Sequence, residues 1–252
     1  MELPNFNLKE LIDAGVHFGH KTQRWNPKMS KYIHSSRENV HIIDLGMTMG
    51  MLTNALDIIR ETISKGGKIL FVATKKQAKG IIAEAAEALN MPYITERWPG
   101  GLLTNFSTIR KSIKKMETID KMKTDGTFDT LSKRERLQIE RQRAKLEINL
   151  GSIVKMTRMP HAIFVIDTNK ERIAVTEANH LGIRVFAIND TNTNPNVINF
   201  PIPGNDDAAK SINCIVTILK QAIQEGLEER AKDQEVKASE KKEKAKKISE
   251  EK

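Results

Sequence analysis

A single cysteine, Cys214, stands among 252 residues. That is too few for an internal disulfide framework or a multi-cysteine zinc site, and it fits a reducing compartment. Aromatic residues are scarce at 5%, which argues against a platform that reads single strands by stacking base after base. No apolar run approaches the ~20 residues needed to cross a bilayer. Met1-Glu2-Leu3-Pro4-Asn5 has neither the basic start nor the apolar run of a secretory signal, so a secreted or membrane protein is not expected. Hydrophobic residues make up 39% and charged residues 29%, so part of the chain lies outside any core.

Acidic residues are missing from three long stretches. His17 to Arg37 holds Lys21, Arg24, Lys28, Lys31 and Arg37 without a carboxylate, Lys65 to Gly80 holds five lysines, and Arg97 to Met116 holds Arg97, Arg110, Lys111, Lys114 and Lys115. The whole chain has 41 Lys+Arg against 32 Asp+Glu, a net charge of +9. Ala162 to Lys210, by contrast, has six acidic and four basic residues. A basic half beside a more neutral half is the footprint of a polyanion partner, because Lys and Arg on phosphates release condensed counterions.

Val40–Ile43, Ile69–Ala73, Ala162–Ile166 and Val185–Ile188 are short, β-branched or aromatic, and read as buried strands; Tyr93–Thr95 and Phe200–Ile202 are weaker candidates. The stretches Met47–Ser64, Lys75–Asn90, Lys170–Leu181 and Asp206–Gly226 have helical length and spacing. Apolar strands separated by helices predict an α/β fold, Rossmann-like and doubly wound, with a mostly parallel sheet. From Asn105 to about Thr157 the rhythm changes. Phe106, Ile109, Ile113 and Met116, then Ile139, Leu146, Leu150 and Ile153, trace two helical seams. Thr124-Asp125-Gly126-Thr127 supplies the turn, and Ser132 with Glu135 a capping box. The expected organisation is a core of residues 1–104 and 158–226, an inserted, protruding coiled-coil hairpin of 105–157, and a charged tail of 227–252. The tail buries too little to hold more than a frayed helix or disordered chain.

Doubly wound sheets often bind nucleotides, but no Gly-x-Gly-x-x-Gly follows a strand here. Gly15-Val16-His17-Phe18-Gly19-His20-Lys21-Thr22 is one residue short of a phosphate loop. Thr74-Lys75-Lys76-Gln77 opens a helix and reads either as an anion site or as a Thr74 cap with solvated lysines. The cluster Arg97-Trp98-Pro99-Gly100-Gly101 favours phosphate, with a fork donor, a stacking face and room for a close backbone. Four histidines fall within the first 41 residues. His20 with Asp190 and Asp206, or Asp207, would suit zinc or magnesium if their loops converge; otherwise these histidines are structural or face RNA. Asp206 and Asp207 have a simpler reading as N-cap and first-turn residues of the last long helix. Cys214 lies on an apolar helix face, where a buried thiol is expected, and no catalytic arrangement of Ser, His and Asp stands out.

Taken together, several strings carry a resemblance: Gly15-Val16-His17-Phe18-Gly19-His20, Trp25-Asn26-Pro27-Lys28-Met29, His41-Ile42-Ile43-Asp44-Leu45, and Phe71-Val72-Ala73-Thr74-Lys75-Lys76-Gln77-Ala78. Others are Arg97-Trp98-Pro99-Gly100-Gly101, Glu177-Ala178-Asn179-His180-Leu181-Gly182-Ile183 and Ile202-Pro203-Gly204-Asn205-Asp206-Asp207-Ala208. In this order the chain closely resembles the bacterial small-subunit ribosomal protein S-two family, from about residue 8 to 226. The resemblance implies a non-catalytic cytoplasmic protein that needs no cofactor. It further implies binding to small-subunit ribosomal RNA near the junction of head and body, and help in docking the mRNA-binding protein S-one and neighbouring subunit proteins. The RNA-facing positions it implies are His17, His20, Lys21, Arg24, Trp25, Asn26, Lys28, Lys75, Lys76, Arg97 and Trp98, to which the basic arm adds Arg110 and Lys111. The family usually has another carboxylate near Pro195, absent from Asp190-Thr191-Asn192-Thr193-Asn194-Pro195-Asn196, which counts against a metal. The alternatives are a degenerate nucleotide-binding α/β enzyme and a protein-protein adaptor.

Overall fold

A computed structural model describes the backbone of residues 6–250 and the side chains of residues 6–234. Five strands, β4 (Ile69–Val72), β5 (Tyr93–Ile94), β6 (Ala162–Ile166), β7 (Arg184–Asn189) and β8 (Phe200–Pro203), form one parallel sheet in the order β5-β4-β6-β7-β8. Both weak strand candidates are therefore real edge strands. The chain reverses its direction of growth between β4 and β6, and the carboxyl-end crevice of a doubly wound sheet opens at such a point.

Period-two alternation divides the core. Ile69, Phe71, Phe164, Ile166, Phe186 and Ile188 point to one face, and Leu70, Val72, Ile163, Val165, Val185 and Ala187 to the other. The first face is covered by α2 (Leu45–Ser64), α3 (Lys76–Ala88) and α7 (Ala209–Glu250), the second by α6 (Arg172–His180) and the roots of α4 (Phe106–Thr124) and α5 (Lys133–Leu150). With helices on both faces, β4 and β6 are buried along their whole length. Each fully buried Phe or Ile contributes roughly 1.5–3 kcal/mol over an exposed one. Helices α2 and α7 approach closely at Gly226, where a Cβ would lie 2.9 Å from the Arg60 carbonyl oxygen. The backbone of α7 continues as helix through residues 227–250.

Val40–Ile43 is a strand, but not of the main sheet, which corrects the expectation. It is β3 (Val40–Ile43), the centre of a separate antiparallel sheet β1-β3-β2 with β1 (Phe18–Lys21) and β2 (Ile33–Arg37). The cause is local: Glu38 and Asn39 both take positive φ, 52° and 63°. Two such residues make the tight turn that folds β2 back on β3.

In the segment between β5 and β6, α4 and α5 pair through Arg143 with Asp120 and through Lys123 with Glu140. Gly126, at φ 73°, turns the chain after α4, and the Ser132–Glu135 capping box opens α5. Ile113, Met116 and Ile119 are buried along α4, whereas α5 buries only Leu150. No helix among the described residues is long and apolar enough to cross a membrane.

Candidate nucleic-acid interface

The loops at the carboxyl ends of β4, β6, β7 and β8 carry Lys75, Asp167, Asp190 and Asp206 respectively, and the small sheet folds over them. Gly19 in β1 permits the approach, since a Cβ there would lie 2.6 Å from Thr191 Cγ2. The His20 amide donates to Asp190 Oδ1 at 3.1 Å and to Thr191 Oγ1 at 2.9 Å, and the Asn26 amide to the Thr191 carbonyl at 2.8 Å. Asn205 N–H reaches the Val16 carbonyl at 3.1 Å. The chain's own N-terminal segment thus covers the crevice where a doubly wound enzyme would hold its ligand.

Beneath that cover the expected loops converge. One ligand atom from each of His20, Asp190, Asp206 and Asp207 lies within 4.8 Å of the others. His20 Nδ1 is 2.8 Å from Asp190 Oδ2, and its Nε2 is 3.4 Å from Asp207 Oδ2. Lys75 Nζ lies 2.7 Å from Asp206, 2.6 Å from Asp207 and 3.4 Å from Asp167. Four carboxylates therefore face one ammonium and one imidazole. Burial, reinforced by Asp190 and Asp167, pushes the Asp206 carboxyl up to about 7 despite Lys75. The hydrogen bond that the His20 ring donates to Asp190 holds the imidazole above its ordinary value. Burial works against the Lys75 ammonium, but Asp206 and Asp207 outweigh it and hold the group charged. Asp206 is fully buried, and its Oδ2 has no hydrogen-bond partner.

The structure sorts the expected RNA-facing residues into two groups. Lys21, Arg24, Trp25, Lys28, Lys76, Arg97 and Lys111 are exposed, and among the described residues none of these cations pairs with a carboxylate. Trp25 packs its ring 5.2 Å from that of His41 and keeps its outer side in solvent. His17 lies against Phe18, with ring centroids 4.1 Å apart, and burial lowers its pKa.

The other residues have partners within the protein. Lys75 is committed to the carboxylates, so its neighbour Lys76 is the free lysine. Trp98 is 7% exposed and its Nε1 donates to Glu177 at 3.0 Å. Arg110 donates to the carbonyls of Val154 and Met156 at 3.2 and 3.3 Å, tying α4 to the chain that leaves α5. The Asn26 side chain accepts from Lys28 N–H and caps a short turn. Nor do Asp206 and Asp207 cap the last helix as the simpler reading had it: Asn205 Oδ1 accepts from the amides of Asp207 and Ala208.

The helix opening at Thr74 follows neither of its two readings. The Thr74 amide and hydroxyl both donate to Glu171, and Lys170 Nζ reaches the Thr74 carbonyl at 3.1 Å. An internal carboxylate thus takes both Thr74 donors ahead of the helix N-terminus. Glu177 plays a similar part for the loop that enters α4. Its Oε1 accepts from Trp98 Nε1 and Gly101 N–H, its Oε2 from Leu103 N–H, Thr104 N–H and Thr104 Oγ1, all at 2.8–3.2 Å. Those donors outweigh burial and hold its carboxyl below the usual range. Glu171 and Glu177 were missed in the sequence, although Glu177 left a signal: it shares the α6 face of Ala174, Val175 and Ala178, where a carboxylate must find donors.

With this geometry in hand, the comparisons are specific. The family described as Ribosomal protein S2 matches residues 11–226. The "Small ribosomal subunit protein uS2" of Flavobacterium johnsoniae is 56% identical over 233 residues, 92% of each chain. The protein of the same name from Parabacteroides distasonis is 58% identical over 224 residues, 89% of this chain and 81% of its own. That of Porphyromonas gingivalis is 58% identical over 228 residues, 90% and 81% of the two chains. These relatives are named as ribosomal proteins and not as enzymes, in accord with a sheet whose carboxyl-end crevice is closed by its own chain. The chain belongs to the ribosomal protein S2 family.

Proposed function

We propose that this protein is a non-catalytic structural constituent of the small ribosomal subunit, at work on the ribosome in the cytoplasm, and that it binds small-subunit ribosomal RNA near the head-body junction. One observation carries the RNA reading. The carboxylates at the sheet's carboxyl end are engaged by Lys75, His20, Thr74 and the loop before α4, while Lys21, Arg24, Lys28, Lys76, Arg97 and Lys111 stay outside and, among the described residues, unpaired. Outward cations over inward acids give a one-sided positive field that fixes orientation through phosphates. The paired helices α4 and α5, with thirteen cations against seven acids between Asn105 and Lys155, form an arm that adds a second RNA contact. Docking of protein S-one and neighbouring subunit proteins follows from the family resemblance and from the same position on the subunit.

Binding of the full chain to small-subunit RNA, measured over a salt series, tests this. Replacing Lys21, Arg24 and Lys28 together by Glu weakens binding and lowers the salt slope by about one per lost contact. The same exchange at Lys237, Lys241 and Lys242 leaves the slope near its original value. Equal losses from the two triple variants would mean that total charge, and not this surface, does the binding.

The unpartnered Asp206 Oδ2 supports a second statement: the His20, Asp190, Asp206 and Asp207 cluster holds a divalent cation, zinc or magnesium. Imidazole and carboxylates suit zinc, and the carboxylates alone suit magnesium. A bound ion would supply positive charge that Lys75 alone does not, tying the small sheet to the large one. Equilibrium dialysis of the full chain against each metal tests the reading, with retention expected for the natural chain and lost in Asp206→Asn. No retention of either metal would refute it.

A further inference from the structure

Between the arm and the sheet runs a groove of about 620 Å³ that none of the preceding roles uses. Its apolar walls come from Trp98, Ile109 and Leu146, with Ile173 of α6 standing at its edge 58% exposed. Arg97 and Lys145 flank it, both exposed, and no carboxylate lines it. Among the described residues neither cation is engaged in an ion pair. We infer that this groove receives a nucleotide extruded from the bound RNA, its base against Trp98, Ile109, Leu146 and Ile173 and its phosphates on Arg97 and Lys145. The inference rests on the RNA-binding reading above and deepens it by naming a base-accepting site.

The chemistry decides between occupants. An apolar peptide segment would be served by the walls alone, and two unpaired cations beside them would be costly to cover. An unstacked nucleotide needs both an apolar or aromatic face for its base and cations for its phosphates, and irregular RNA supplies such bases at loops and bulges. The volume falls within the range of sites that enclose small ligands. Geometry places Trp98 in this reading differently from its expected open stacking role: it is a wall of the groove, held in place by Glu177.

Two exposed isoleucines provide a matched test, since Ile173 lines the groove and Ile12, at 47% exposure, does not. Neither supports the core, and Gln at either place changes no charge. The full chain is titrated with small-subunit RNA, and ultraviolet adducts on rebuilt subunits are mapped to peptides. Ile173→Gln weakens RNA binding by about fivefold, at the low end of what one base contact contributes. Ile12→Gln changes nothing, and adducts fall on the peptides carrying Trp98 or Leu146. Equal effects of the two variants, or adducts elsewhere and none in the groove, would overturn the inference while leaving RNA binding intact. Loss of a protein from nuclease-treated subunits by Ile173→Gln, with RNA affinity unchanged, would assign the groove to a protein and overturn it too. A chain that binds no RNA at low salt would overturn both this inference and the reading beneath it.

Discussion

Glu177 shows how one side chain can organise a loop. Its two oxygens gather five donors from Trp98, Gly101, Leu103 and Thr104, and the chain then enters α4 at Phe106. Glu177→Gln would set an amide NH₂ against backbone N–H groups, and the expected loss is about 2–3 kcal/mol in urea unfolding. The pH dependence has a definite sign. A carboxyl held low in the folded state contributes fully above its unfolded value near 4.5 and loses that contribution as pH falls through the lower folded value. The gap in urea midpoint between the natural chain and the variant should therefore close on acidification. A gap independent of pH would show that the charge of Glu177 is not what holds the loop. Gly19 makes the opposite point, since there an absent side chain is what fits. Gly19→Ala would drive a Cβ into Thr191, costing about 1–3 kcal/mol and loosening the small sheet, which faster amide exchange at His20 and Asn26 would register.

At the scale of elements, the alternation of Ile69-Leu70-Phe71-Val72 and the β-branched run at Ala162–Ile166 made the parallel sheet legible, because strands buried on both faces leave unbroken apolar runs. The capping box at Ser132 was legible for the same local reason. Ser132→Ala should cost about 1 kcal/mol, and exchange should rise in α5 but not in β6; an equal rise in both would mean that the arm and the core unfold as one. The strand Val40–Ile43 was legible, but its partners were not. A positive-φ pair at Glu38-Asn39 lacks the glycine that announces such a turn, so a hairpin looked like another strand of the main sheet. Inward commitments were the hardest to see. Lys75, Trp98 and Arg110 occupy basic or aromatic motifs, and only the folded chain brings Asp206, Glu177 and the Met156 carbonyl to them. The convergence of His20, Asp190 and Asp206 could be reasoned from the rule that carboxyl-end loops meet, a rule that Asp167 after β6 also meets, whereas Glu171 carried no signal of its own.

For the whole molecule, the distribution of charge matters more than its total. Asp167, Asp190 and Asp206 lie under the small sheet and Asp120, Glu140 and Glu147 in ion pairs within the arm, while among the described residues cations without a carboxylate partner remain at Lys21, Arg24, Lys28, Lys76, Arg97 and Lys111. On the proposed reading such a surface suits a polyanion, and its hold on RNA must then weaken with salt. The most direct test of the central claim is to sediment a low-salt cell lysate through a sucrose gradient, with and without dissociating salt, and to probe the fractions for this chain. The account predicts that the chain travels with the small subunit under gentle conditions and is stripped from it at high salt. A chain that stays at the top of the gradient at low salt would contradict it.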